Sequence, residues 1–261
     1  MGLKPLSLVI VQLSPVWEDK PASHARVRKL LAGASIEPGS LIVLPEMFDT
    51  GFSMRVAATA QGETQESESF VRELATQYDA AVLAGVVSRQ AGNLAANEAV
   101  ALAPDGGELV RYRKMQPFSI SEEEKHYVPG HRHQLFTWGG LTIAPFICYD
   151  LRFPEVFRPA VRAGAELIIV IASWPDVRSE HWVRLLQARA IGNLAFVVGV
   201  NRCGTDPTLT FDGRSCAFDP HGQPLFEADA REQVATVKLD ATVVRQWREQ
   251  FPALRDMRST P

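Results

Sequence analysis

The chain reads as a layered α/β fold, and three observations predict it. Short runs rich in Val, Ile and Leu recur along its 261 residues. Amphipathic segments of helical period lie between them. Clusters of Asp, Gly and Pro punctuate the chain where turns are needed. The strand candidates are Leu6–Leu13, Leu41–Leu44, Ala81–Val87, Ala99–Ala103, Leu141–Ile147, Leu167–Ala172 and Phe196–Val200, followed by Ser215–Phe218 and Ala235–Leu239. Nearly continuous apolar composition suits strands covered on both faces. Helices are expected at Ala22–Leu31, Ser67–Gln77, Glu155–Ala163, Glu180–Ala190 and Ala241–Gln250. Pro154 fits the first turn of the third of these, and Gly164 fits its end. Asp105-Gly106-Gly107, leading towards Leu109–Tyr112, reads as a hairpin, and the run from Asp219 to Gly222 as a second hairpin-like break. No Ser/Gly linker or low-complexity stretch divides the chain, so one domain is expected over 1–261.

Bulk composition excludes several classes. The chain is 46% hydrophobic with a formal net charge of −3. Neither nucleic acid nor an anionic membrane surface is an expected partner. The three cysteines, Cys148, Cys203 and Cys216, show no C-x-x-C spacing and no disulfide framework, which points to the reduced cytoplasm. Met1–Pro5 runs into a strand without the features of a signal peptide. No apolar stretch approaches the ~20 residues that span a bilayer. No nucleotide-binding glycine motif and no G-x-S-x-G occurs, and no cofactor is expected. His131 and His133 lack a third ligand at a recognisable spacing, so no metal site is expected.

Three polar residues stand where apolar strands stop. Cys148 ends the run Leu141–Ile147. Glu46 follows Leu41–Leu44 and Pro45. Lys114 follows the strand after the Asp-Gly-Gly turn. Ligand clefts in α/β folds gather at strand ends. A thiol nucleophile needs a base, a nearby positive charge and donors for the oxyanion it creates. Glu46 and Lys114 offer the first two without a histidine. Cys203 and Cys216 have no charged partner in their own segments and read as packing residues.

These segments resemble the nitrilase superfamily of carbon–nitrogen hydrolases, from Leu8 to about Val244. Leu44-Pro45-Glu46-Met47-Phe48 looks like the family's Glu segment, Tyr112–Phe118 its Lys segment, and Ile147–Phe153 its Cys segment. The stretch Glu123–Gly130 resembles the segment holding a second Glu. Counting back from Gly130 places that role on Glu123, with Glu122 and Glu124 as alternatives. The resemblance implies a four-layer α-β-β-α sandwich, a homodimer, and amide hydrolysis through a thioester on Cys148. It further implies Glu46 as general base, Lys114 as the charge beside the sulfur and oxyanion, and Glu123 as the group orienting Lys114 or the substrate amide.

Val16–Asp19, Met47–Met54, Ala172–Pro175, Arg189–Ile191 and Gly199–Gly204 look like the bacterial omega-amidase branch. That branch acts on 2-oxoglutaramate and 2-oxosuccinamate, so the implied partner is a small amide carrying a carboxylate, though the sequence does not say which basic residue receives it. Other amidases of the superfamily, acting on deaminated glutathione or N-carbamoyl compounds, stand as alternatives, as does a non-catalytic small-molecule binder. Phe118, Tyr127, Tyr149, Trp174 and also Trp138 are candidates for the pocket wall, against their use in core or interface. Two positions depart from the family pattern: Gly192 stands where Glu is common, expected to remove a carboxylate near the site, and Arg214 stands where Asp is common.

Overall fold

The structure is a computed structural model that describes residues 4–258. Residues 1–3, part of the start read as lacking a signal peptide, lie outside the described residues, as do 259–261. From the N-terminus, β1 (Leu6–Gln12) leads to α1 (Lys20–Ala32), β2 (Leu41–Val43), the single turn α2 (Val56–Thr59) and α3 (Glu66–Tyr78). Next come β3 (Ala81–Arg89), β4 (Ala95–Leu102) and β5 (Glu108–Arg113). The second half runs β6 (Phe136–Trp138), β7 (Leu141–Ile147), α4 (Pro154–Arg162), β8 (Leu167–Ala172), α5 (Ser179–Asn193) and β9 (Phe196–Asn201). It closes with β10 (Cys203–Thr205), β11 (Thr210–Asp212), β12 (Cys216–Phe218), β13 (Pro224–Glu227), β14 (Gln233–Leu239) and α6 (Ala241–Gln250).

Two six-stranded sheets form, ordered β14-β1-β2-β3-β4-β5 and β6-β7-β8-β9-β12-β13. Each is built on one plan: three parallel strands, one antiparallel strand beside the first, and two antiparallel strands beyond the third. This likeness of the halves is invisible in the sequence. Successive side chains on a strand face opposite ways, and β1 shows the consequence. Val9 and Val11 join α1 and α3 through Val27, Leu31, Phe70 and Leu74. Leu8 and Ile10 face the second sheet, in a cluster that continues through Ile143 and Ile169 to Phe157 of α4 and Leu186 of α5. The layers are therefore helix, sheet, sheet, helix, as the family resemblance implies.

Local signals explain the boundaries. Asp19 caps α1 by accepting the Ala22 N–H at 3.0 Å. Pro154 opens α4, and Gly164, at φ +104, follows its end. The Asp-Gly-Gly turn joins β4 to β5, with the Asp105 carboxylate accepting the Gly107 N–H at 2.9 Å. Asp219 and Gly222 close the β12–β13 hairpin at 2.9 Å. Strand β4 begins at Ala95, ahead of the expected Ala99, because Asn97 and Glu98 broke the apolar run yet are buried and paired. No described helix is long and apolar enough to cross a membrane.

Candidate active site

The ends of β2, β5, β7 and β8 converge. Glu46 follows β2 in a segment pressed against β3, where Gly85 donates to Pro45 O at 3.1 Å. Any side chain at 85 would collide, since a Cβ there lies 2.5 Å from Glu46 Cα. Lys114 continues β5, its N–H bonded to Asn97 O at 2.9 Å. Glu123 lies on a tight turn at Glu123–Lys125 and is buried, whereas Glu122 is exposed and pairs with Lys125. Glu124 is exposed too, so only Glu123 of the three reaches the cluster. Cys148 starts another tight turn, Cys148–Arg152, in the left-handed region at φ +46. An L-residue there costs roughly 1–2 kcal/mol, which the surrounding sheets must offset.

The charged groups are tightly paired. Lys114 Nζ donates to Glu46 Oε1 at 2.9 Å and to Glu123 Oε2 at 2.8 Å. All three side chains are buried. Burial opposes the ammonium, but Glu123 and Glu46 overcome it and hold the Lys114 pKa above the ordinary lysine range. The Cys148 thiol is pushed well up, first by burial and then by the Glu46 charge, against the pull of Lys114. Burial and the Glu46 charge together favour the protonated sulfur. First-turn N–H groups of so short a helix, that of Tyr149 among them, have no acceptor within it.

Sequence reasoning missed three supporting residues. Asn97 Nδ2 donates to Glu46 Oε1 at 2.7 Å and to Glu123 Oε1 at 3.1 Å. Ser173, just past β8, donates its N–H to the other Glu46 oxygen at 2.8 Å. Asp150, two residues past Cys148, accepts from Tyr112 Oη at 2.7 Å, Gln116 N at 2.9 Å and Ile147 N at 3.0 Å. Burial pushes its carboxyl up to about 6, against those hydrogen bonds and Lys114. Polar residues inside apolar stretches were the available signal for Asn97; nothing local marked the other two.

Cys148 opens onto a cavity of about 270 Å³. Phe118, Tyr149 and Trp174 line it, together with Phe52, Arg152 and Arg178. Tyr127 does not line it and is corrected here: its ring is buried behind the wall, its hydroxyl bonded to Thr59 Oγ1 at 2.8 Å and Ser53 O at 2.5 Å. Trp138 is also elsewhere, donating to Gly39 O and Ser40 O. Gly192 is not near the site: it lies in the last turn of α5 in a separate groove with Arg158 and Met257. Arg214 pairs with Glu180 and Glu227. Cys203 and Cys216 are buried, and burial pushes the Cys203 thiol up to about 12.

A half-buried thiol flanked by a Glu–Lys–Glu cluster on a four-layer sandwich defines a class, and the chain belongs to the carbon–nitrogen hydrolase family, whose model matches residues 8–249. It is a hydrolase of amide carbon–nitrogen bonds. Among its relatives is omega-amidase YafV of Escherichia coli (strain K12), 35% identical over 253 residues and covering 96% of each chain. The 2-oxoglutaramate amidase of Bacillus subtilis (strain 168) is 28% identical, over 92% of this chain and 93% of its own. A CN-hydrolase superfamily protein from Xanthomonas campestris, solved with an arsenic adduct in its active site, superposes with a TM-score of 0.90 at 33% identity, covering 98% of both chains.

Proposed function

We propose that the enzyme hydrolyses the terminal amide of a short keto-acid amide, 2-oxoglutaramate or 2-oxosuccinamate, to the acid and ammonia. The observation that carries the reading is the buried Glu46–Lys114–Glu123 cluster beside Cys148 at the cavity wall. Glu46 takes the thiol proton as sulfur attacks the amide carbon. Lys114 and the Tyr149 N–H hold the oxyanion. The intermediate collapses with cleavage of the C–N bond, and Glu46 passes its proton to the departing nitrogen, releasing ammonia. Glu46 then deprotonates water, which attacks the thioester; the C–S bond breaks and the sulfur regains a proton from Glu46. Glu123 holds Lys114 in place throughout. The relatives named as omega-amidase and 2-oxoglutaramate amidase support the choice of substrate.

The test is ammonia release from 2-oxoglutaramate, 2-oxosuccinamate, glutamine and deaminated glutathione. The keto-acid amides are expected to give the highest kcat/KM, and Cys148→Ala is expected to release none. Intact mass under turnover should show an acyl adduct on wild type alone. Amidase activity surviving in Cys148→Ala would overturn the mechanism, and preference for deaminated glutathione would overturn the substrate.

A further inference from the structure

Arg202 is a cation set in the interior behind one wall of the nucleophile's cavity. It follows β9, its N–H bonded to Ala172 O at 3.1 Å, and its side chain is only 1% exposed. Its Nη1 has no hydrogen-bond partner among the described residues, and Asp206 Oδ2 stands 3.9 Å away, beyond hydrogen-bond reach. Burial pushes its pKa down to about 10, against the pull of Asp206 and Cys203. A buried cation so loosely paired costs stability, and an apolar side chain of similar volume would cost less.

Its contacts all lead to the cavity wall. Nη2 donates to Thr205 O at 3.0 Å, and the guanidinium lies over the Phe211 ring at 4.1 Å. Thr205 and Phe211 belong to the β10–β11 hairpin, of which Asp206, Thr208, Leu209 and Phe211 line the cavity. On the other side Nη1 and Trp17 crowd Gly51, where a Cβ would lie 3.2 Å from each. Trp17 and Phe52–Met54 line the cavity as well. One guanidinium thus backs three wall segments, none of them a strand of either six-stranded sheet. A hairpin of two three-residue strands does not hold its own position and takes it from what it packs against. The planar fork suits that use, stacking on an aromatic face while its edge donates to a carbonyl.

We infer that Arg202 is a positioning residue that fixes the β10–β11 hairpin as a wall of the cavity and so sets the width of the group that reaches Cys148. It does not itself line the cavity and acts through Asp206–Leu209 and Phe211. The role depends on the cavity at Cys148 and not on which amide is the substrate.

Two measurements decide it, in wild type, Arg202→Met and Arg202→Lys. The first needs no turnover. It is the rate of Cys148 alkylation by iodoacetamide divided by that by the wider N-benzyliodoacetamide, read by intact mass with Cys148→Ala as the blank. The two reagents carry the same reacting carbon, so a change in thiol reactivity or in folded fraction cancels in the ratio. Wild type should favour the small reagent, and the ratio should fall roughly tenfold in Arg202→Met and by less in Arg202→Lys. The second is the split between kcat and KM for 2-oxoglutaramate. KM should rise roughly tenfold in Arg202→Met while kcat per folded molecule changes little, because Glu46, Lys114 and Cys148 keep their places. An unchanged alkylation ratio, or an unchanged KM, overturns the assignment and leaves Arg202 a packing residue. Should Arg202→Met fail to fold, Arg202→Lys, which keeps the charge and loses the planar fork, decides by the same ratio. Wild type inactive on every amide would overturn the proposed function, while the alkylation ratio would still judge Arg202.

Discussion

Asn97 holds two carboxylates with one amide group. Its Nδ2 reaches Glu46 and Glu123, while its own Oδ1 is buried with no partner among the described residues. An unsatisfied buried oxygen costs about 1–3 kcal/mol, so the side chain is kept in place at the expense of stability. Lys114 pairs with both acids, but a single ammonium does not fix the rotation of either; Asn97 and the Ser173 N–H hold Glu46 from two sides. We expect Asn97→Leu to lower kcat by roughly tenfold to a hundredfold, the range a misplaced base produces, with a smaller change in KM. A variant whose kcat matches wild type would show that Asn97 only fills space.

At the scale of elements, the tight turn after β7 carries the nucleophile, and Asp150 ties it to two other segments. Its carboxyl titrates about two units above the ordinary 3.8, near 6. Between those values the folded protein binds a proton that the unfolded chain releases. This contribution to stability is full below pH 3.8 and lost as pH rises through about 6. Relative to Asp150→Asn, whose amide does not titrate, wild-type stability should therefore decline from pH 4 to 6 and level off above it. Urea midpoints for the two proteins across that range give the answer; a constant difference would remove the linkage. Legibility in the sequence also divides by element. Glu46 and Cys148 were legible because each stands where an apolar run stops, and Lys114 because it follows the short strand after the Asp-Gly-Gly turn. Asn97 was not, because β4 admits two polar residues that find partners across the sheet, and pairing over such distances leaves no local trace. Tyr127 was placed on the wrong side of the wall for a similar reason: a buried aromatic with a satisfied hydroxyl and one facing a cavity have the same sequence signature.

At the scale of the molecule, the two sheets are joined by polar contacts as well as by their shared core. Gln12, at the end of β1, accepts the Ser215 N–H at 2.9 Å and donates to Asp229 O and Arg231 O at 2.5 and 2.8 Å. Gly213 is needed beside it, since a Cβ there would lie 2.3 Å from the Gln12 amide. Gln12→Leu leaves those backbone groups without their partner at a cost of about 1–3 kcal/mol for each that stays buried. Its urea midpoint should fall, while activity per folded molecule at low urea is retained; an unaltered midpoint would mean that solvent takes over the contacts. The parallel plan of the two sheets was beyond sequence reading, since strand order depends on partners far apart in the chain.

Glu46 and Cys148 follow strands of opposite sheets, and the strand that completes the sheet of Glu46, β14, is the last to be made. A growing chain therefore carries Cys148 for many residues of synthesis before the layers can close around it. The sulfur meets Glu46 and Lys114 only where the two sheets pack, so the arrangement depends on the closed sandwich and on no single segment.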